Sequence, residues 1–173
     1  MTPDNNHHTQ VIYYSRTGKT SIIAEIIKDT FGCNLQEIID LKDRSGILGY
    51  IGGVIDIWLR PLNEISPSVV DIKDYSLLFI GAPLWGGKFP PAITTFFSSA
   101  HFSGKKVVLF VTCGHRMKQT LFDEYSTRIR ASGGEVAGHF YLRTRSKSNT
   151  ALQEETQRIL DGHRGEWLKS IKN

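Results

Sequence analysis

Two cysteines in 173 residues, at Cys33 and Cys113, exclude a disulfide framework and the close pairing of a zinc knuckle. Such sparing use fits a reducing, cytoplasmic compartment. No run reaches the length of about 20 apolar residues that a bilayer-spanning helix needs, so no membrane span is expected. The first ten residues are polar and hold no apolar stretch of the kind a signal peptide carries. The six histidines show no metal-ligand spacing: His7 and His8 lie in the polar start and the other four are scattered. No metal site is expected. Neither paired carboxylates nor a Ser/His/Asp order points to hydrolysis, and the sequence assigns no catalytic residue.

Hydrophobic residues make up 40% of the chain and charged residues 22%, the balance of a globular protein with enough apolar surface for a core. The length is that of one domain, read as a polar tail over residues 1–8 and a single domain over 9–173. The net charge of +4 is unevenly spread. Residues 1–87 carry 7 Lys and Arg against 10 Asp and Glu, a net of −3, and residues 88–173 carry 14 against 7, a net of +7. The basic residues are not interleaved with aromatics as in a nucleic-acid-binding module, so no nucleic-acid partner is expected.

Short apolar runs alternate with helical patterns. Residues 9–14 read as a buried strand, residues 34–39 as a second, 77–80 as a third, 107–112 as a fourth and 136–142 as a fifth. The third and fourth are continuously apolar, the mark of strands covered on both faces in a parallel sheet. Helical spacing joins Ile22, Ile23, Ile26 and Ile27, then Ile93, Phe96 and Phe97 behind Pro90 and Pro91, then Leu121, Phe122, Tyr125 and Ile129. A last amphipathic helix runs from Leu152 to Ile171 and contains Gly162 and Gly165. Five strands alternating with helices predict a doubly wound α/β domain. The apolar, glycine-broken segment 46–59 is surplus to that scheme and reads as a partly helical lid. Its apolar residues suit a homodimer face, a ligand wall or plain core packing.

Ser15, Arg16, Thr17, Gly18, Lys19 and Thr20 join the first strand to the first helix. A helix N-terminus there offers backbone N–H groups and about half a unit of positive charge to an anion, and the hydroxyls add donors. A phosphate fits such a loop; a plain N-cap from Ser15 or Thr17 accounts for the same residues without a ligand. Gly18, Lys19 and Thr20 imitate the end of a nucleoside-triphosphate loop, but that motif needs glycine where Tyr13 stands, and no later strand ends in a magnesium-binding Asp. A phosphoacceptor Asp is equally missing, since the third strand ends in Gly81.

The loop of residues 15–20 resembles the phosphate loop of the flavodoxin family, Ser/Thr-x-Thr-Gly-x-Thr. The stretch from Phe79 through Pro83, Leu84, Trp85, Gly86, Gly87 and Lys88, followed by Pro90 and Pro91, resembles that family's first isoalloxazine loop. The two motifs stand in the right order on the right elements, and the likeness extends from Gln10 to Ile171. It implies a flavodoxin-like five-stranded parallel sheet of order 2-1-3-4-5, with FMN bound outside the carboxyl ends of the strands. Carried over, Ser15 to Thr20 would hold the phosphate, Pro83 to Lys88 would flank the flavin, and Trp85 would give the ring an aromatic face. A core or surface tryptophan is the plain alternative for Trp85. The third loop, Thr112, Cys113, Gly114, His115 and Arg116, would lie on the other side of the ring.

The chain departs from the family's electron carriers in that third loop, which has no aromatic beyond the imidazole of His115, and in the cations Lys88, His115, Arg116 and Lys118. Cations near a flavin raise its reduction potential. The expected function is therefore an FMN-dependent oxidoreductase, taking electrons from NADH, NADPH or a protein donor and passing them to a small acceptor such as a quinone. A proton would come from water or His115. The alternatives are an electron shuttle between protein partners, and a phosphate-ligand or nucleotide-binding domain without flavin. Cys113 reads as a small buried residue rather than a redox thiol.

Overall fold

The computed structural model describes residues 8–41, 62–115 and 117–171. The tail before His8, the segment 46–59 and Arg116 lie outside the described residues. Five strands form one parallel sheet: β1 (Thr9–Tyr13), β2 (Asn34–Glu37), β5 (Leu77–Pro83), β6 (Lys106–Cys113) and β7 (Glu135–Arg143). Their order is β2-β1-β5-β6-β7. Numbered as five successive strands this is 2-1-3-4-5, as expected. A two-stranded antiparallel ribbon, β3 (Ile39–Asp40) with β4 (Ile65–Ser66), was not anticipated.

Helices cover both faces. α1 (Lys19–Phe31) and α4 (Asn149–Ser170) bury Ile23, Ile27, Phe31, Leu152, Leu160 and Trp167 against Val11, Phe79 and Phe110. α2 (Pro91–Ser99) and α3 (Thr120–Ala131) bury Ile93, Phe96, Phe97, Phe122, Tyr125 and Ile129 against Ile12, Ile80, Leu109 and Val111. The two sandwiched strands, β5 and β6, are therefore buried almost throughout, and the apolar spacing of each helix matches the face it packs.

Three details sharpen the expected elements. The second strand ends at Glu37: Ile38 donates its N–H to the Tyr13 carbonyl at 2.7 Å, drops its side chain into the core, and the chain turns away into β3. β5 runs on to Pro83 because Gly81, Ala82 and Pro83 stay in register with Phe110, Val111 and Thr112. Gly81 is required there, since a Cβ would sit 2.1 Å from the Phe110 ring. On β7 the pairing skips a residue, so that Val107 faces Val136 and Val108 faces Gly138. A Cβ on Gly138 would approach the Trp167 indole nitrogen to 2.5 Å.

Candidate functional site

The carboxyl ends of β1, β5 and β6 bring the three predicted loops together. Strand order reverses between β1 and β5, so the loops after these two strands diverge and leave a crevice between them. The first loop begins at Tyr14, whose N–H extends the ladder to the Gly81 carbonyl at 3.0 Å. It ends at Gly18, the N-cap of α1, at φ 78°, a left-handed conformation that glycine adopts without strain. No side chain caps α1 at that residue. Ser15 instead reaches forward, its Oγ accepting the Ser21 N–H at 3.3 Å. The N–H groups of Thr17, Gly18, Lys19 and Thr20 find no acceptor among the described residues. The space beside Gly18 is open, with no atom within 4 Å of an added Cβ.

The second loop is a tight hairpin. Trp85 and Lys88 exchange backbone hydrogen bonds of 2.9 and 3.1 Å, and Gly86 and Gly87 make the turn at φ 56° and 82°. Positive φ at both central residues suits a type I′ turn and selects glycine. Beside Gly87, too, a Cβ would meet nothing within 4 Å.

The third loop leaves β6 at Thr112, and this residue ties all three together. Its carbonyl accepts the Leu84 N–H at 2.8 Å, and its hydroxyl lies 2.9 Å from that of Thr20, both side chains being buried. Cys113 follows, its Sγ donating to the His115 carbonyl at 2.9 Å. Burial pushes its thiol pKa up, partly opposed by the Arg143 guanidinium. A buried, protonated thiol fits the space-filling role expected of it. His115 is exposed, and Arg145 from the loop after β7 donates to its Nε2 at 2.8 Å.

Two side chains sit differently from what their sequence positions suggest. The Lys19 ammonium donates to Asn149 Oδ1 at 2.7 Å and to the Lys147 carbonyl at 3.4 Å, which ties the start of α1 to the start of α4. Trp85 is only 4% exposed: Tyr14 meets it edge-on at 5.7 Å and the Arg16 guanidinium lies over its ring at 5.6 Å. The indole is thus part of the core on the α2 side, with a cation on its face.

Sequence reasoning did not find a cleft of about 240 Å³ beside the first loop, between Tyr14, Ser15 and Arg16 on one side and the chain from Glu37 to Asp40 on the other. It follows from the unanticipated turn of the chain into β3. Asn149 and Arg145 were missed as well. The N-cap Ser148, which accepts the Ala151 N–H at 3.1 Å, is a local signal for the start of α4, but nothing local sets that start beside Lys19. Among the described residues there is no metal-binding group of His, Cys, Asp and Glu, and no helix is long and apolar enough to cross a membrane.

Comparison with known proteins agrees with this architecture. The flavodoxin family model matches residues 54–136, which include the second and third loops. A flavodoxin of Nostoc is 26% identical over 183 aligned positions that cover 94% of each chain. Among solved structures, a Bacteroides uniformis protein described as a flavoprotein superposes with a TM-score of 0.73 at 22% identity, over 87% of this chain and 98% of that one. A Lactobacillus acidophilus flavoprotein, solved in complex with FMN, gives a TM-score of 0.67 at 21% identity, over 78% and 93%. In sheet order and in sequence, the chain is flavodoxin-like.

Proposed function

We propose that the chain binds FMN without a covalent bond at the carboxyl edge of its sheet and works as an oxidoreductase, passing electrons from a nicotinamide or protein donor to a small acceptor such as a quinone. The observation that carries this reading is the junction of three loops at Thr112 beside an uncapped helix N-terminus. Four backbone N–H groups that find no acceptor among the described residues, around an open Gly18, match a phosphate dianion. The Nostoc flavodoxin and the FMN complex of the Lactobacillus protein support the same ligand.

Bound FMN supplies one- and two-electron redox chemistry. The residues of this chain do the rest. The N–H groups of residues 17–20 hold the phosphate. The Gly86–Gly87 turn brings backbone close to the ring with no side chain in the way. Trp85 would back the ring from the core, on the face that the Arg16 guanidinium now covers at 5.6 Å. His115 stands at the exposed end of the third loop as the group able to hand over a proton, its Nε2 already committed to Arg145. In the alternative reading, a shuttle, the exposed cations Lys118, Arg143 and Arg145 would meet an acidic protein.

Purification decides the main point. A yellow preparation, or a colourless one that regains flavin absorbance with added FMN, is expected; a chain that takes up no FMN overturns the reading and leaves a phosphate-ligand domain. Anaerobic bleaching by NADH or NADPH alone separates the enzyme from the shuttle.

A further inference from the structure

The charge of this molecule is polarised along its sheet. Among the described residues, those up to position 87 carry 4 Lys and Arg against 7 Asp and Glu, a net of −3. Those from 88 onward carry 12 against 7, a net of +5. The first group builds β2, β1 and β5, and the second builds β6 and β7 with their helices, so the sheet order turns a sequence asymmetry into a spatial one. Several cations of the positive side are neutralised in place: Lys106 pairs with Glu135, Arg128 with Glu124 and Lys147 with Glu155.

Three are not. Lys118 in the loop after β6, Arg143 at the end of β7 and Arg145 just beyond it are exposed and form no ion pair among the described residues. The nearest opposing charge in the sequence of these elements is Asp123, in the first turn of α3. An exposed aromatic stands on the same edge. Tyr141 is 42% exposed on edge strand β7, and Arg143 follows it on the same face of the strand. His139, on that face too, is held against the Phe122 ring at 4.1 Å. Arg145 is bonded to His115, so this corner is continuous with the third loop of the candidate site.

We propose that the β6–β7 corner, formed by Lys118, Tyr141, Arg143 and Arg145, is the docking surface for an acidic redox protein. The inference rests on the redox reading above and deepens it by naming the chemistry of the protein partner. Unpaired cations on the same edge as an exposed tyrosine combine a long-range guide with a contact anchor, tyrosine and arginine being residue types that dominate interface energetics. The polarity spans the whole sheet rather than one cleft, and a field of that extent orients a protein-sized body before contact. Docking here sets the partner beside residues 112–115, at the edge of the candidate flavin site.

The test uses the FMN-loaded protein with two carriers of opposite charge: a dithionite-reduced acidic [2Fe–2S] ferredoxin, and basic cytochrome c as oxidant of the reduced protein. Reaction rates are followed by stopped flow as ionic strength is raised through the range where the Debye length shrinks below about 10 Å. The ferredoxin rate is expected to fall about tenfold with salt. Arg143→Glu, outside the loops assigned to the flavin, is expected to lower the low-salt rate several-fold and to flatten the salt dependence, with FMN absorbance unchanged. Tyr141→Ala is expected to slow the reaction without altering its salt slope.

A ferredoxin rate indifferent to salt and to charge reversal overturns the proposal, as does a cytochrome c rate that is the one to fall with salt. Charge reversal that raises the KM for NADPH and spares ferredoxin also overturns it, in favour of a dinucleotide site. If the chain takes up no flavin, only the redox reading fails. Fluorescence anisotropy of labelled ferredoxin against the unloaded chain and its charge-reversed variant then decides the docking surface by itself.

Discussion

The hydroxyls of Thr20 and Thr112 meet at 2.9 Å, inside the core and 92 residues apart in the chain. One belongs to the first turn of α1 and the other to the end of β6, whose carbonyl also holds Leu84. Removing one hydroxyl leaves the other buried without a partner, which costs about 1–3 kcal/mol, whereas removing both costs far less. Thr20→Val and Thr112→Val are each expected to lower the urea midpoint, and the double variant to recover part of the loss. Additive losses in that cycle would show that the two hydroxyls do not depend on each other.

The same pair marks the limit of what the sequence conveys. The alternation of strands and helices was legible because continuous apolar runs and 3.6-residue spacing are local signals. The strand order came only with the resemblance of residues 15–20 and 79–91 to the flavodoxin loops. The same resemblance named the loops around Gly18, around Gly86 and Gly87, and after the strand end at Thr112. What joins them was not legible, since the Thr20–Thr112 bond, the Lys19–Asn149 bond and the Arg16–Trp85 contact link residues that only the completed sheet brings together. The turn into β3 was hidden for a related reason: Ile38 and Ile39 continue the apolar pattern of β2, yet one is buried and the other exposed.

Glycines in this chain divide by what surrounds them. Gly162 and Gly165 lie exposed inside α4, with no atom within 4 Å of an added Cβ. Replacing each by Ala is expected to stabilise the protein by up to about 1 kcal/mol and to raise Tm by about 2–4 °C per substitution. Gly81→Ala is expected to do the opposite, costing about 1–3 kcal/mol or more as the Phe110 ring is displaced. Thermal melts of the three single variants check both signs; a drop in Tm for the two α4 variants would be the contrary result.

Alkaline pH should unsettle the fold through Cys33. This residue is buried behind α1, and burial pushes its thiol from an ordinary 9.0 up to about 12. Between those values the folded chain keeps a proton that the unfolded chain has lost. The stabilising contribution is therefore complete below about pH 9 and disappears as pH rises toward about 12. Urea midpoints measured upward from pH 8 are expected to fall, and Cys33→Ala, though less stable at neutral pH, is expected to show a shallower decline. Equal slopes for the two proteins would remove Cys33 as the cause.

Trp85 poses the sharpest question for the candidate site, because it is packed into the core and yet stands in the loop expected to flank the flavin. Truncation to alanine confuses the two roles, since opening a cavity beneath Tyr14 costs about 3–5 kcal/mol in stability alone. Trp85→Leu keeps most of the buried volume and removes only the flat aromatic face. Stacking on such a face is worth about 1–3 kcal/mol, so this variant is expected to bind FMN roughly tenfold or more weakly while losing little in Tm. Trp85→Phe is expected to lie between the two in affinity. An FMN Kd that follows Tm across the set, rather than the presence of a ring, would make Trp85 a core residue and nothing more. The Arg16 guanidinium over the indole supplies a second readout, because a flavin stacking on that face must displace it. Arg16→Ala is then expected to speed FMN association in the wild-type background and to have no such effect in Trp85→Leu.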